Sequence, residues 1–190
     1  MTNTGKRFQI TPCPLQGLHR IERLALEDSR GWFERLYCFN TFSALGLKKT
    51  VQQMNRSFTV QKGSVRGMHF QRAPMIETKL VSCTRGEVFD VAVDLRPDSP
   101  TYLKWHGEVL SASNRRSLLI PDGFAHGFQT LSDDCEMLYL HTTAFAAELA
   151  DGLNPLDPKL AITWPLAVTE MSPGDQQRPM LTAEFKGLIV

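Results

Sequence analysis

The stretch Arg85-Gly86-Glu87-Val88-Phe89-Asp90-Val91-Ala92-Val93-Asp94-Leu95-Arg96 decides the fold. A turn dipeptide opens it, and a run rich in apolar and β-branched residues follows. Side chains alternate across a strand, so Phe89, Val91, Val93 and Leu95 share one face, and Val88, Asp90, Ala92 and Asp94 the other. Residues 79–84 read as the strand before it. Outward from there, strand patterns cover 103–110, 117–120, 126–131 and 136–143, with strand-like runs at 8–11 and 18–26 near the start. Turn chemistry punctuates them at Lys62-Gly63, Pro97-Asp98-Ser99-Pro100, Pro121-Asp122-Gly123 and Asp151-Gly152. One short helix is predicted over 41–45, with Asn40 as N-cap and Gly46 just past its end. Many short strands and few helices predict an all-β sandwich or barrel.

Composition narrows the rest. The chain has 190 residues, a length that fits one domain over 1–190 and buries roughly 70% of the unfolded surface. A net charge of +1 gives no global attraction to nucleic acid or an anionic membrane, and neither is expected as a partner. No apolar run approaches the ~18 residues of a membrane helix. The first fourteen residues lack the apolar core of a signal peptide. Cys13, Cys38, Cys83 and Cys135 form no Cys-x-x-Cys pair, which argues against a zinc ribbon or disulfide scaffold and for a cytoplasmic protein with reduced thiols. Residues after Trp164 are irregular and are expected to pack across the outside.

Five segments carry side chains suited to chemistry. In Ser64-Val65-Arg66-Gly67-Met68-His69-Phe70-Gln71, a basic residue and a histidine lie three apart, and histidine exchanges a proton near neutral pH. In Ile120-Pro121-Asp122-Gly123-Phe124-Ala125-His126-Gly127-Phe128, the Pro-x-Gly-x-x-His spacing resembles the second cupin motif. The companion motif would need two histidines one residue apart, and His69-Phe70-Gln71 supplies only one. A catalytic metal takes three protein ligands, so a metal-free barrel is expected. Lys79 opens a strand, Asp90 sits on the next, and a lysine in a barrel mouth needs a partner, so a Lys79–Asp90 pair is expected. Tyr139 is a weak acid suited to returning a proton to carbon. In Asp28-Ser29-Arg30-Gly31-Trp32-Phe33-Glu34-Arg35, arginines and aromatics suit a phosphate and a stacked base. Each segment alone also reads as ordinary structure: a hydrogen-bonded core histidine or tyrosine, a surface lysine, a charged turn. No Ser-His-Asp elbow, Walker loop or Gly-x-Gly-x-x-Gly is present.

Taken in order, these segments resemble the dTDP-4-dehydrorhamnose 3,5-epimerase family over residues 20–182. The matching text also includes Val51-Gln-Gln-Met-Asn-Arg-Ser, Leu110-Ser-Ala-Ser-Asn, Trp164-Pro and Met171-Ser-Pro-Gly-Asp175. The resemblance implies a cupin-like jelly-roll β-sandwich or barrel with a few short helices. It implies no metal and no cofactor, and a homodimer whose N-terminal segments swap. The implied substrate is a nucleotide-diphospho-4-keto-6-deoxyhexose. His69 matches the catalytic base, Asp175 the carboxylate orienting it, Tyr139 the proton donor and Lys79 the residue beside the keto oxygen. Arg66 and Arg30 match arginines on the diphosphate, the latter supplied by the partner subunit. Gln53, Asn55 and His126 match polar lining positions, with Asp90 beside them, and Phe33 matches an aromatic near the base.

The chemistry fits those residue types. Protons at C3 and C5 both flank the C4 ketone, so loss of either gives an enolate. A carboxylate-held histidine removes the proton, a lysine stabilises the oxyanion, and a tyrosine on the opposite face returns a proton with inversion. Two positions depart from the pattern. Ala144-Phe145 stands where the family usually has a tyrosine pair, so a second hydroxyl is missing. Arg35 stands where a glutamate is usual, and arginine only donates hydrogen bonds. These departures keep open a single-centre epimerase or ketoisomerase on a CDP-, GDP- or dTDP-linked sugar. A non-catalytic nucleotide-sugar-binding cupin and a metal-dependent cupin oxygenase are the remaining alternatives.

Overall fold

A computed structural model describes residues 6–45, 47 and 49–190. In chain order the elements are β1 (Phe8–Pro12), β2 (His19–Arg23), β3 (Leu26–Asp28), β4 (Gly31–Phe33), α1 (Phe39–Ser43), β5 (Gln53–Thr59), β6 (Val65–Gln71) and β7 (Lys79–Arg85). There follow β8 (Glu87–Asp94), β9 (Trp105–Ser111), β10 (Arg116–Ile120), β11 (Phe124–Thr130), β12 (Cys135–His141), β13 (Ala150–Gly152) and α2 (Pro173–Gln176). The strands form a six-stranded sheet in the order β1-β2-β10-β7-β12-β5 and a five-stranded sheet in the order β13-β6-β11-β8-β9, and β3 and β4 form a separate hairpin. All these named-strand pairings are antiparallel. The all-β jelly-roll sandwich is the expected architecture. Among the described residues no helix is long and apolar enough to cross a membrane.

The alternation of β8 shows why both sheets hold together. Val88 and Ala92 enter the core between the sheets with Val81, Leu118, Phe128 and Met137. Phe89, Val91, Val93 and Leu95 face a second core on the outer side. That outer core is closed by Leu160, Leu181 and Leu188, with Trp164 and Phe185 against them, so the irregular C-terminal stretch buries the back of the five-stranded sheet. The six-stranded sheet is covered in turn by Phe42 of α1, which meets Phe8 at a ring separation of 5.2 Å and Tyr37 at 5.4 Å. Burying a side chain of that size contributes about 1.5–3 kcal/mol.

That packing corrects the expected helix. It begins at Phe39, with Cys38 at the N-cap and no side-chain capping bond, so Asn40 lies inside the first turn. Tertiary burial of Phe42 outweighs the local capping preference. Gly46, expected at its end, lies outside the described residues. The polar strand β5 is invisible to apolar periodicity because Asn55 and Ser57 line the cavity described below, with Gln53 on the same face of the strand.

β6 carries one residue too many. His126 of β11 pairs with His69, but Phe128 pairs with Arg66, where a regular ladder would pair it with Gly67. A bulge of this kind turns the strand and re-aims its side chains. Strict alternation would set Arg66 and His69 on opposite faces, and the extra residue brings both to one cavity. Gly67 makes the bulge possible: its φ is +129°, and a Cβ there would lie 2.6 Å from Gly127 Cα and 2.9 Å from the His126 carbonyl oxygen. Gly67→Ala is therefore expected to lower stability by roughly 1–3 kcal/mol from strain alone, as read by urea unfolding.

Asp94 anchors the turn after β8. Its side chain is fully buried and accepts from Arg96 Nε at 2.8 Å, Arg96 Nη2 at 2.8 Å, Ser99 Oγ at 2.5 Å and Thr101 Oγ1 at 2.7 Å. Burial pushes this carboxyl up, but the hydrogen bonds outweigh it and hold it below its ordinary value. A depressed folded-state pKa stabilises above the unfolded value of about 3.9 and is lost as pH falls through the folded one. Asp94→Asn should unfold more readily at pH 7, by roughly 3–5 kcal/mol. Its stability should also fall less than the wild type's between about pH 5 and pH 2. Denaturant titrations across that range check both statements.

Candidate active site

The two sheets open at one end onto a cavity of about 260 Å³, continuous through Arg66 and His69 with a larger one of about 660 Å³. His69 and Arg66 come from β6 and His126 from β11, both in the five-stranded sheet. Lys79, Tyr139 and His141 come from β7 and β12 in the six-stranded sheet, with Asn55 and Ser57 from β5 beside them. The smaller cavity thus has its imidazole His69 on one wall and its phenol Tyr139 on the facing one.

His69 Nε2 lies 2.6 Å from Asp175 Oδ1. Asp175 is buried, sits in the first turn of α2, and donates its own backbone N–H to the Ser172 hydroxyl at 3.1 Å. Burial pushes the Asp175 carboxyl up; the His69 hydrogen bond and charge outweigh this and leave it lowered. With Nε2–H held by a fixed carboxylate, Nδ1 is the nitrogen left to take a proton. His69 keeps 47% of its side-chain surface exposed.

Tyr139 donates to or accepts from Ser57 Oγ at 2.8 Å, and burial pushes its phenol up to about 12. It therefore stays protonated across the physiological range. His126 Nε2 meets Asp90 Oδ2 at 2.8 Å, and its ring stands edge-on to Tyr139 at 6.1 Å. Asp90 is wholly buried, and burial pushes its carboxyl up despite His126 and Lys79. His141 Nδ1 meets Glu77 Oε2 at 2.7 Å, and its ring stacks near Tyr139 at 6.1 Å. Among the described residues no three His, Cys, Asp or Glu side chains converge as metal ligands would.

Several expectations need correction. Lys79 pairs with Glu77 at 2.9 Å, not with Asp90. β7 and β8 are consecutive in sequence but lie in different sheets, so Asp90 faces His126 instead. Being fully buried, Asp90 supports His126 and cannot touch a substrate itself. Phe33 and Arg35 are not brought to this cavity within one chain: Phe33 is 61% exposed on the hairpin, and Arg35 is exposed. Arg30, expected from a partner subunit, folds back on Asp28 at 2.6 Å in its own chain. Glu34 turns inward and pairs with buried Arg23 at 3.2 Å, a structural role. Phe145 sits exposed near the rim, its backbone N–H donating to Gln53 Oε1 at 2.9 Å. Glu77 and Ser57 were not singled out by sequence reasoning. The signal for Glu77 is its position two residues before Lys79, on the same side of an extended chain.

A family model described as dTDP-4-dehydrorhamnose 3,5-epimerase matches residues 12–183. A dTDP-4-dehydrorhamnose 3,5-epimerase of Salmonella typhimurium is 44% identical over 85% of this chain and 88% of its own length. A dTDP-4-dehydrorhamnose 3-epimerase of Streptomyces niveus is 38% identical over 96% and 88%. The crystal structure of dTDP-6-deoxy-D-glucose-3,5-epimerase from Legionella pneumophila in complex with dTDP-4-keto-L-rhamnose superposes with a TM-score of 0.89 at 38% identity, covering 96% of this chain and 99% of that one. A match spanning nearly the whole chain, on a fold that sets a carboxylate-bound histidine across a cleft from a half-buried tyrosine, has one reading: the chain belongs to the dTDP-4-dehydrorhamnose 3,5-epimerase family of isomerases.

Proposed function

We propose that the protein inverts C3 and C5 of dTDP-4-dehydro-6-deoxy-D-glucose, giving dTDP-4-dehydro-L-rhamnose. The observation that carries this reading is the placement of His69, held by Asp175, and Tyr139 on facing walls of one cavity that Lys79 also lines. His69 Nδ1 takes the proton from the carbon beside the C4 ketone. The C–H electron pair moves to the C4 oxygen, and the Lys79 ammonium stabilises that oxyanion. Tyr139 gives its proton to the same carbon from the opposite face, the enolate collapses to the ketone, and the centre is inverted. The buried phenolate is unfavourable and regains a proton by way of Ser57, while His69 returns its proton to solvent. Repetition at the second carbon completes the reaction. The larger cavity, with Arg66 at its junction and Phe58 and Val60 on its wall, suits the nucleoside diphosphate.

His69→Ala should abolish deuterium uptake from D₂O at C3 and C5. Tyr139→Phe should lower inversion by about 10²–10⁴-fold while still taking up deuterium, because His69 can return a solvent-derived deuteron to the face it came from. NMR of the recovered sugar nucleotide checks this. Uptake untouched by His69→Ala would overturn the assignment.

A single-centre reaction is the second reading. Phe145 favours it by lacking a hydroxyl near the rim, and the Streptomyces niveus relative is named as a 3-epimerase. Exchange confined to one carbon in the wild type would select it.

We also infer a homodimer. Trp32 (60% exposed) and Phe33 (61%) stand out on the β3–β4 hairpin, and Met54 and Phe58 on the open edge of β5. Exposed aromatic surface and an unpaired strand edge favour a partner. In that arrangement the partner subunit's Arg30 reaches the diphosphate. Mixing inactive His69→Ala with inactive Arg30→Ala chains should then restore roughly a quarter of wild-type activity, from the one intact site of each mixed dimer. If each chain used its own Arg30, mixing would restore nothing.

A further inference from the structure

Neither Glu77 nor His141 takes part in the proton transfers above, yet His141 lines the same cavity and Glu77 is bonded to both His141 and Lys79 of its wall. Glu77 Oε1 stands 2.9 Å from Lys79 Nζ, and Oε2 stands 2.7 Å from His141 Nδ1. The side chains of Lys79, Glu77 and His141 are only 9%, 9% and 12% exposed. A carboxylate so enclosed between a cation and an imidazole is unlike a surface ion pair, whose partners wander in water.

The direction of every contact in this group follows from its two ends. The Phe145 backbone N–H can only donate, so Gln53 Oε1 accepts it at 2.9 Å. Gln53 Nε2 then donates to Asn55 Oδ1 at 3.1 Å. That leaves Asn55 Nδ2 to donate to His141 Nε2, at a longer 3.4 Å. His141 Nε2 therefore carries a lone pair and Nδ1 carries the proton, which it donates to Glu77. At the other end Lys79 can only donate, so Glu77 receives at both oxygens. Burial pushes the Glu77 carboxyl up, but His141 and Lys79 outweigh it and keep it below its ordinary value. Asp90 makes no ion pair with Lys79, and its Oδ2 is engaged by His126.

We propose that Glu77 and His141 are positioning residues that, braced by Asn55 and Gln53, hold the Lys79 ammonium in place at the cavity wall beside Tyr139. This rests on the epimerase reading, in which Lys79 meets the enolate oxygen. An amine on a free four-carbon stem would swing away from that oxygen, and a misplacement of an ångström costs up to about 10²-fold in rate.

The test compares full-length variants on dTDP-4-dehydro-6-deoxy-D-glucose, with dTDP affinity measured on each as a check of folding. Glu77→Gln offers one acceptor where two are needed, so either Lys79 or His141 is lost. His141→Leu removes the brace. Each should lower kcat about 10–100-fold while KM and the Kd for dTDP change by less than about threefold. His141→Asn, whose amide N–H can take the place of Nδ1–H, should recover most of that loss. In ¹⁵N spectra the wild-type His141 should carry its proton on Nδ1, and Glu77→Gln should alter that signature. If His141→Asn is as slow as His141→Leu, the proposal fails. It also fails if Glu77→Gln leaves kcat unchanged, if the loss appears equally in KM, or if the His141 proton sits on Nε2. Should Glu77→Gln not fold, the His141 pair decides alone. A wild type that exchanges no deuterium is a different failure: it overturns the epimerase reading, and the positioning role falls with it.

Discussion

The constraint on which the site depends is the approach of two backbones, Gly67 on β6 and Gly127 on β11. No Cβ fits at Gly67, and one at Gly127 would lie 2.5 Å from Met68 Sδ and 2.7 Å from the Arg66 carbonyl oxygen. The extra residue of β6 is accommodated there, and it alters what the strand presents. Arg66 and His69 both reach the cleft, so a guanidinium and an imidazole from one short segment face the same cavity. A regular strand with the same residues would point one of them into a core.

Both sheets pack apolar side chains on both faces, and the polar groups of the site gather at the open end. There the structure pairs each imidazole with its own carboxylate: His69 with Asp175, His126 with Asp90, His141 with Glu77. The three differ in access to water. His126 and His141 have 7% and 12% of their side chains exposed, against 47% for His69. A base that must shed a proton every turnover needs contact with solvent, and that favours His69 on physical grounds alone. The other two pairs have no such route and serve to fix neighbours: His126 beside the Tyr139 ring, His141 behind Lys79.

Much of this was legible in the sequence where one residue's neighbours are local. The alternation in residues 88–95 assigns both faces of β8 correctly, because a period of two survives any tertiary arrangement. The segments around His69, His126, Lys79 and Tyr139 do converge. The expected Lys79–Asp90 pairing fails because chain order suggests neighbouring strands, whereas β7 and β8 lie in different sheets. Polar β5 escaped notice because hydrophobic periodicity carries no signal where a strand lines a cavity. The short helix was misplaced because Phe42's burial, a long-range contact, fixes its bounds.

The arrangement of charge also suits the proposed reaction through an oxyanion, which could run there without reorganising its surroundings. The groups that would meet the developing charge are already paired before substrate arrives: Lys79 with Glu77, and Asp175 with His69 and the Gly67 backbone N–H at 3.4 Å. Each carboxylate is held by a second bond, from His141 at Glu77 and from the Gly67 backbone N–H at Asp175, whose own backbone N–H is capped by Ser172. Water would have to reorient to stabilise an enolate, whereas these dipoles are held by sheets packed on both faces. The outer cores, formed far from the cleft by Phe42 on one side and Leu181 and Leu188 on the other, thus contribute to the site's rigidity as well as to stability.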